Sequence, residues 1–258
     1  MNTTYDLHPH PLVRHLGKPA AQFTREDLIR FVEERRISMV NFRYVAGDGR
    51  LKTLNFVISG REHLYDILTY GERVDGSSLF PFMETGNSDL YVVPRYRTAF
   101  LNPFSEEPAL EILCSFFDHT GAPLELSPEY ILQKAIREFR KNTGLDFKCM
   151  GELEYYVNSK STGFFQATDQ KGYHESEPFA KFEAMRKQAL KLIAACGGQI
   201  KYGHSEVGNF IKEDEAFEQH EIEFLPTGPE EAADQLVIGK WVLRMLAKQM
   251  GVEISFAP

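Results

Sequence analysis

Cysteine is scarce in this chain. The three that occur among 258 residues, Cys114, Cys149 and Cys196, are isolated and odd in number. None has the spacing of a structural metal site, and they build no disulfide framework, so they read as reduced thiols of a cytoplasmic protein. No run of eighteen apolar residues occurs, so no membrane-spanning helix is expected. The N-terminal MNTTYDLHPHPLVRHLG lacks the apolar stretch of a signal peptide. Positive charge is in the minority: 29 Lys and Arg stand against 37 Asp and Glu, a formal net charge of −8. That argues against a general binder of nucleic acid or of anionic membrane and leaves cation binding open. Internal repeats and low-complexity tracts are absent as well.

What is present suits a packed α+β protein: 43% of residues are hydrophobic and 26% charged, enough for a core and a soluble surface. Residues 1–22, with Pro9, Pro11 and Pro19, read as a loosely held arm. Thr24 with Asp27 three residues on has capping-box spacing and opens a helix. Two alternating runs, Met39–Val45 and Leu51–Ile58, flank Gly47-Asp48-Gly49 and predict a hairpin. A short helix over 62–68 and strands over 90–93 and 109–117 follow, giving a small α+β domain over 23–118. In the remainder, 119–258, SPEYILQKAIREFRKNTG carries Ser127 as cap, Pro128 at the first helical position and Gly144 as stop. Further helices are expected over 179–195 and from Pro229 to about Met250, with strands over 199–207 and 218–224. On the 179–195 helix, Lys181, Arg186, Lys187 and Lys191 read as a solvated face.

The chemistry concentrates in three acidic strands. In GELEYYV, Glu152 and Glu154 alternate with Leu153, so both carboxylates point to one face. In KYGHSEVG, His204 and Glu206 share a face near a strand end. In EQHEIEF, Glu221 and Glu223 share one face and His220 takes the other. Glutamates converging from adjacent strands are hard oxygen ligands of the kind Mg2+ or Mn2+ prefers. Glu-x-Glu alone is equally served by the solvated face of an antiparallel sheet.

Order and spacing of these segments resemble the glutamine synthetase family. VDGSSLFPFMETGNSDLYVVP resembles its Asp-Gly-Ser-Ser loop and the strand behind it, GELEYYV its Gly-x-Glu-x-Glu strand, and KYGHSEVG with EQHEIEF its His-x-Glu-Val and Gln-x-Glu segments. KGYHESEPF and the final GVEISFAP fit as well, so the resemblance runs from about residue 24 onward. It implies an N-terminal β-grasp domain and then a catalytic domain on a curved antiparallel sheet backed by helices. It implies ATP-dependent joining of ammonium to the γ-carboxylate of glutamate, with Mg2+ or Mn2+, in a double-ring homo-oligomer. Residue by residue, Glu154, Glu206 and Glu221 match the ligands of one cation, and Glu152 matches a ligand of a second that grips the nucleotide phosphates. Asp75 matches the loop aspartate that takes a proton from ammonium, and Ser78 the serine beside it. His204 is expected only to support the ligands.

The pattern also departs from the family. The family's His-His-Glu is His204-Ser205-Glu206 here, Glu218 stands where glycine is usual, and the spacing from Glu206 to Glu221 is longer. These changes leave open a γ-glutamyl ligase for another amine. The chain stops on VEISFAP, inside a predicted strand with no following element to pair it. The expectation is a fragment of an enzyme, or else a short non-catalytic paralogue. One tight divalent-cation site is expected from the residues present.

Overall fold

Two compact units divide the chain: residues 1–147 with 195–197, and residues 148–194 with 198–258. The computed structural model describes residues 3–84, 88–166 and 168–257. Thr85, Gly86 and Asn87 of the loop motif and Pro258 of the terminal motif lie outside the described residues.

The first unit does not begin as a loose arm. Pro11 starts helix α1 (Pro11–Leu16), and His10 caps it by accepting the Leu12 N–H on Nδ1 at 3.2 Å. Leu12 and Val13 are buried, which fastens the segment to the core. Helix α2 (Arg25–Arg35) opens on the expected capping box, each of Thr24 and Asp27 bonding the other's backbone N–H. Strands β1 (Met39–Val45) and β2 (Leu51–Val57) form the expected hairpin. Helix α3 (Arg61–Tyr70) leads into β3 (Glu72–Asp75), then β4 (Asp89–Pro94), β5 (Phe100–Leu101) and β6 (Ala109–Asp118).

The sheet order is β2-β1-β6-β4-β3, with β5 also paired to β6. β1 runs parallel to β6, and the other neighbours are antiparallel. Apolar residues of α2 (Leu28, Phe31, Val32) and α3 (Leu64, Leu68) share one buried cluster with Val40, Phe42, Leu110 and Ile112 of the sheet. This is the β-grasp arrangement. β3 escaped the sequence reading because Glu-Arg-Val-Asp has no apolar alternation; pairing with β4 makes it a strand, and it delivers Asp75 at its end. Helix α4 (Pro128–Thr143) has the expected cap, Ser127 Oγ accepting the Tyr130 N–H at 3.3 Å, and the left-handed Gly144 as its stop. Replacing Ser127 with alanine should cost about 1 kcal/mol, the usual worth of such a cap; unchanged urea unfolding in Ser127→Ala would remove the cap's role.

The second unit is a curved antiparallel sheet backed by helices. Its elements are β7 (Glu152–Lys160), α5 (Glu183–Ala195), β8 (Ile200–Lys212), β9 (Glu215–Phe224), α6 (Pro229–Met250) and β10 (Glu253–Ser255). The strand order is β10-β7-β9-β8. The β8–β9 hairpin is longer than expected and turns at Glu213-Asp214, which accounts for the extended Glu206-to-Glu221 spacing. The terminal segment finds its partner upstream: Ile254 of β10 stands opposite Val157 of β7.

Alternation decides which face is which. Leu153, Tyr155 and Val157 of β7 and Ile222 and Phe224 of β9 are buried, with Met185, Ala189 and Ile193 of α5 and Ile238, Val242 and Leu243 of α6 also in the interior. A one-residue slip of β7 would bury Glu152 and Glu154 and expose three core side chains, so the register is strongly specified. Helix α5 starts at Glu183 rather than 179, because the backbone N–H groups of Lys181 and Phe182 bond the Glu218 carboxylate instead of entering a helix.

Candidate metal centre

The strand register gathers the acids. Glu152 stands opposite Glu223 and Glu154 opposite Glu221 across β7 and β9, and Glu221 stands opposite His204 across β9 and β8. Like charges directly opposite on one face destabilise a sheet. Here two such pairs are adjacent, an arrangement that a bound cation would relieve.

Glu206 is not at a strand end. It sits within β8 in a bulge, where Glu206, Val207 and Gly208 together oppose Gln219. Glu206 keeps the face of His204, with His204 Nδ1 3.7 Å from Glu206 Oε1 and His204 Nε2 3.7 Å from Glu221 Oε2. One amide ties the bulge to β7: Gln219 Oε1 accepts the Gly208 N–H at 2.9 Å, and Gln219 Nε2 donates to Glu154 Oε2 at 2.7 Å. Glycine suits this contact, since a Cβ on residue 208 would lie 2.1 Å from the Tyr156 hydroxyl and 2.5 Å from Gln219 Oε1 and would force those side chains to move.

The electrostatics follow from this crowding. Burial raises the Glu221 carboxyl and His204 pulls it back, but Glu152, Glu154 and Glu206 push it up again, to about 7. Glu223 moves the other way, held down by hydrogen bonds from Lys201, at 2.7 Å, and Tyr202. Ligand atoms of His204, Glu221 and Glu223 all lie within 4.8 Å of one another. Among the described residues this close group joins Glu221 to His204 and Glu223, which lie outside the expected ligand set, and it does not include Glu152, Glu154 or Glu206. The signal for Glu223 was the alternation of EIEF; the pairing that sets it opposite Glu152 is not local in sequence. With its oxygen-rich donors, one imidazole and opposed like charges, this face fits a hard divalent cation.

The two substitutions that depart from the family pattern point away from this face. Ser205 is 2% exposed and Glu218 5%, and both lie on the buried side of the sheet. Arg186, expected on a solvated helix face, is also buried, with its guanidinium bonded to Ser205 and His220. Tyr155 is packed inside.

Asp75 and Ser78 belong to the first unit. Asp75 caps a short 3-10 turn over Gly76–Ser78, with Oδ1 accepting from Ser77 N and Oγ and Oδ2 accepting from Ser78 Oγ at 2.7 Å. The hydroxyls of Ser78, Ser88 and Ser77 hold its exposed carboxyl well below the usual range.

A β-grasp sheet and a curved antiparallel sheet lined with carboxylates define the class of fold. Family models agree along the chain: the glutamine synthetase β-grasp domain matches residues 36–119 and the glutamine synthetase catalytic domain matches residues 125–258. The chain belongs to the glutamine synthetase family. A curated glutamine synthetase of Methanococcus maripaludis is 25% identical over 240 residues, spanning 90% of this chain and 52% of its own length. One from Microchaete diplosiphon is 28% identical over 266 residues, spanning 91% and 54%. The cryo-EM structure of Plasmodium falciparum glutamine synthetase superposes with a TM-score of 0.74 at 18% identity, covering 90% of this chain and 50% of that one. Ligand-free GmaS gives 0.71 at 14% identity, with 90% and 52% covered. The chain therefore spans about half the length of the curated relatives it matches. No helix among the described residues is long and apolar enough to cross a membrane.

Proposed function

We propose that this chain contributes the β-grasp domain and the first part of the catalytic sheet to an ATP-dependent glutamate–ammonia ligase. The observation that supports the reading is the acid row on three neighbouring strands, with Glu154 opposite Glu221 and His204 3.7 Å from both Glu206 and Glu221. In this reaction ATP phosphorylates the glutamate γ-carboxylate, ammonia displaces the phosphate, and glutamine, ADP and phosphate leave. Glu154, Glu206 and Glu221 would hold one divalent cation, with His204 and Glu223 beside it, and Glu152 would face a second. Bound cations neutralise phosphate oxygens, so that one anion can approach another.

Asp75 has a role of its own. Three serine hydroxyls stabilise its anion, so it keeps its charge through the physiological range. Such a group suits binding of ammonium as a counter-charge better than lasting retention of its proton. Ser78 fixes the carboxylate that would do this. Two of the departures that leave another amine open as substrate, Ser205 and Glu218, lie on the buried face of the sheet and not on the acid face.

The test is γ-glutamyl transfer to hydroxylamine by the complete gene product with Mn2+. Activity should require the metal, and Asp75→Asn should lower the ammonium-dependent synthetic rate by about 10²-fold, within the range for a lost acid–base group. A complete gene product inactive with saturating Mn2+ and ATP would end this reading.

A further inference from the structure

Behind the acid row, on the buried face of the same sheet, four polar side chains meet. Arg186 of α5 is 6% exposed and His220 of β9 is fully buried. Arg186 Nη1 donates to Ser205 Oγ at 2.8 Å and approaches His220 Nδ1 at 2.5 Å. A guanidinium only donates, so Nδ1 is the acceptor and the ring proton is assigned to Nε2. Nε2 lies 2.7 Å from Glu218 Oε1. Glu218 also takes the N–H groups of Lys181 and Phe182, and Ser205 Oγ reaches the Glu175 carbonyl at 3.1 Å. Tyr155 stacks on the His220 ring at 5.6 Å.

The placement of this chain of contacts is specific. Ser205 and His220 form the last paired rung before the bulge, and Glu218, opposite Asn209, forms the first rung after it. Arg186, His220 and Glu218 thus bracket from behind the bulge that carries Glu206. Two of the three strand members also adjoin the acid row: Ser205 lies between His204 and Glu206, and His220 precedes Glu221. A buried arginine and glutamate are costly unless paired, and apolar side chains would fill the same space without that cost. Their use here fixes two strands and the start of α5 to one another through directional bonds.

We propose that Arg186, Ser205, His220 and Glu218 are positioning residues that hold Glu206 and Glu221 at the spacing a divalent cation requires. This rests on the cation-site reading of the acid row.

The experiment titrates the chain with Mn2+ alone, by calorimetry and by EPR of the bound ion, in the parent and in Arg186→Met, Glu218→Gln, their double variant and Ser205→Ala. Each charge-removing single variant should bind Mn2+ about tenfold more weakly, the lower end of the loss when groups that orient metal ligands are removed. The bound-ion EPR spectrum should change as well, which mere loss of stability would not produce. The double variant leaves no unpaired buried charge and should bind more tightly than either single one. Ser205→Ala removes one acceptor at small structural cost and should show a smaller loss with an altered spectrum; it decides the matter if the charge variants fail to fold. Unchanged affinity and spectrum in the folded variants, or a double variant no better than the singles, overturns the positioning role while leaving the cation site standing. A parent chain that binds no Mn2+ overturns the cation-site reading and the positioning role together.

Discussion

Glu221→Gln should make the cation-free chain more stable and the Mn2+-loaded chain less so. Glu221 is 6% exposed and stands opposite Glu154, with burial and three neighbouring acids raising its pKa from an ordinary 4.5 to about 7. The sign follows from proton binding. Below about pH 4.5 the group is protonated in both folded and unfolded chains and contributes nothing. As pH rises from there to about 7, the unfolded chain releases its proton first, so stability falls with rising pH across that window. Above it the full cost of an ionised Glu221 is present, roughly 3 kcal/mol for a shift of this size. A neutral amide of the same shape escapes most of that cost, so the variant should gain about 2 kcal/mol at pH 8 and lose the pH dependence between 4.5 and 7. Mn2+ reverses the order. At a hundred times its dissociation constant a bound ion stabilises the parent by about 2.7 kcal/mol, whereas the variant, lacking the central carboxylate, should bind at least about 100-fold more weakly, the most that loss of a group merely orienting a ligand costs. Urea unfolding at pH 5 and pH 8, with and without Mn2+, reads both effects. A variant that matches the parent in all four conditions would mean that Glu221 is neither crowded nor a ligand.

The parts of this site that were legible in the sequence are the local ones. GELEYYV announces its two faces because period-two alternation sets them regardless of partner, and Thr24, Ser127 and Pro229 announce helix starts because caps are local chemistry. Pairing is different. That Glu152 meets Glu223, and that Lys201 then neutralises Glu223, depends on a register between strands far apart in sequence. Arg186 was misread for the same reason: spacing along α5 gives its position on the helix, but whether that side meets water or the back of β8 and β9 is settled by what packs there. β3 was missed because its four residues carry no pattern of their own and become a strand only against β4. The family resemblance pointed to Asp75 and the four glutamates. It could not show that the two departures, Ser205 and Glu218, join one buried network.

Gly208 carries the second large effect, because the whole connection from the bulge to Glu154 passes through it. In Gly208→Ala the new Cβ would lie 2.1 Å from the Tyr156 hydroxyl and 2.5 Å from Gln219 Oε1. Both atoms end side chains, so the chain can yield, but the movement displaces Gln219, which holds Glu154 at 2.7 Å. Overpacking of this kind costs about 1–3 kcal/mol. The loss of the Gln219 bond should weaken Mn2+ binding by about tenfold, the lower range for a group that orients a ligand. Tyr156→Phe in the same chain removes the closest clashing atom, so the double variant should regain much of the stability. It should regain the Mn2+ affinity only in part, since the contact between residue 208 and Gln219 Oε1 remains. Thermal unfolding and Mn2+ calorimetry on the single and double variants separate the two effects. If Gly208→Ala keeps the parent's stability and affinity, the bulge does not hold Glu154, and the acids of β7 and β9 must be set by strand pairing alone.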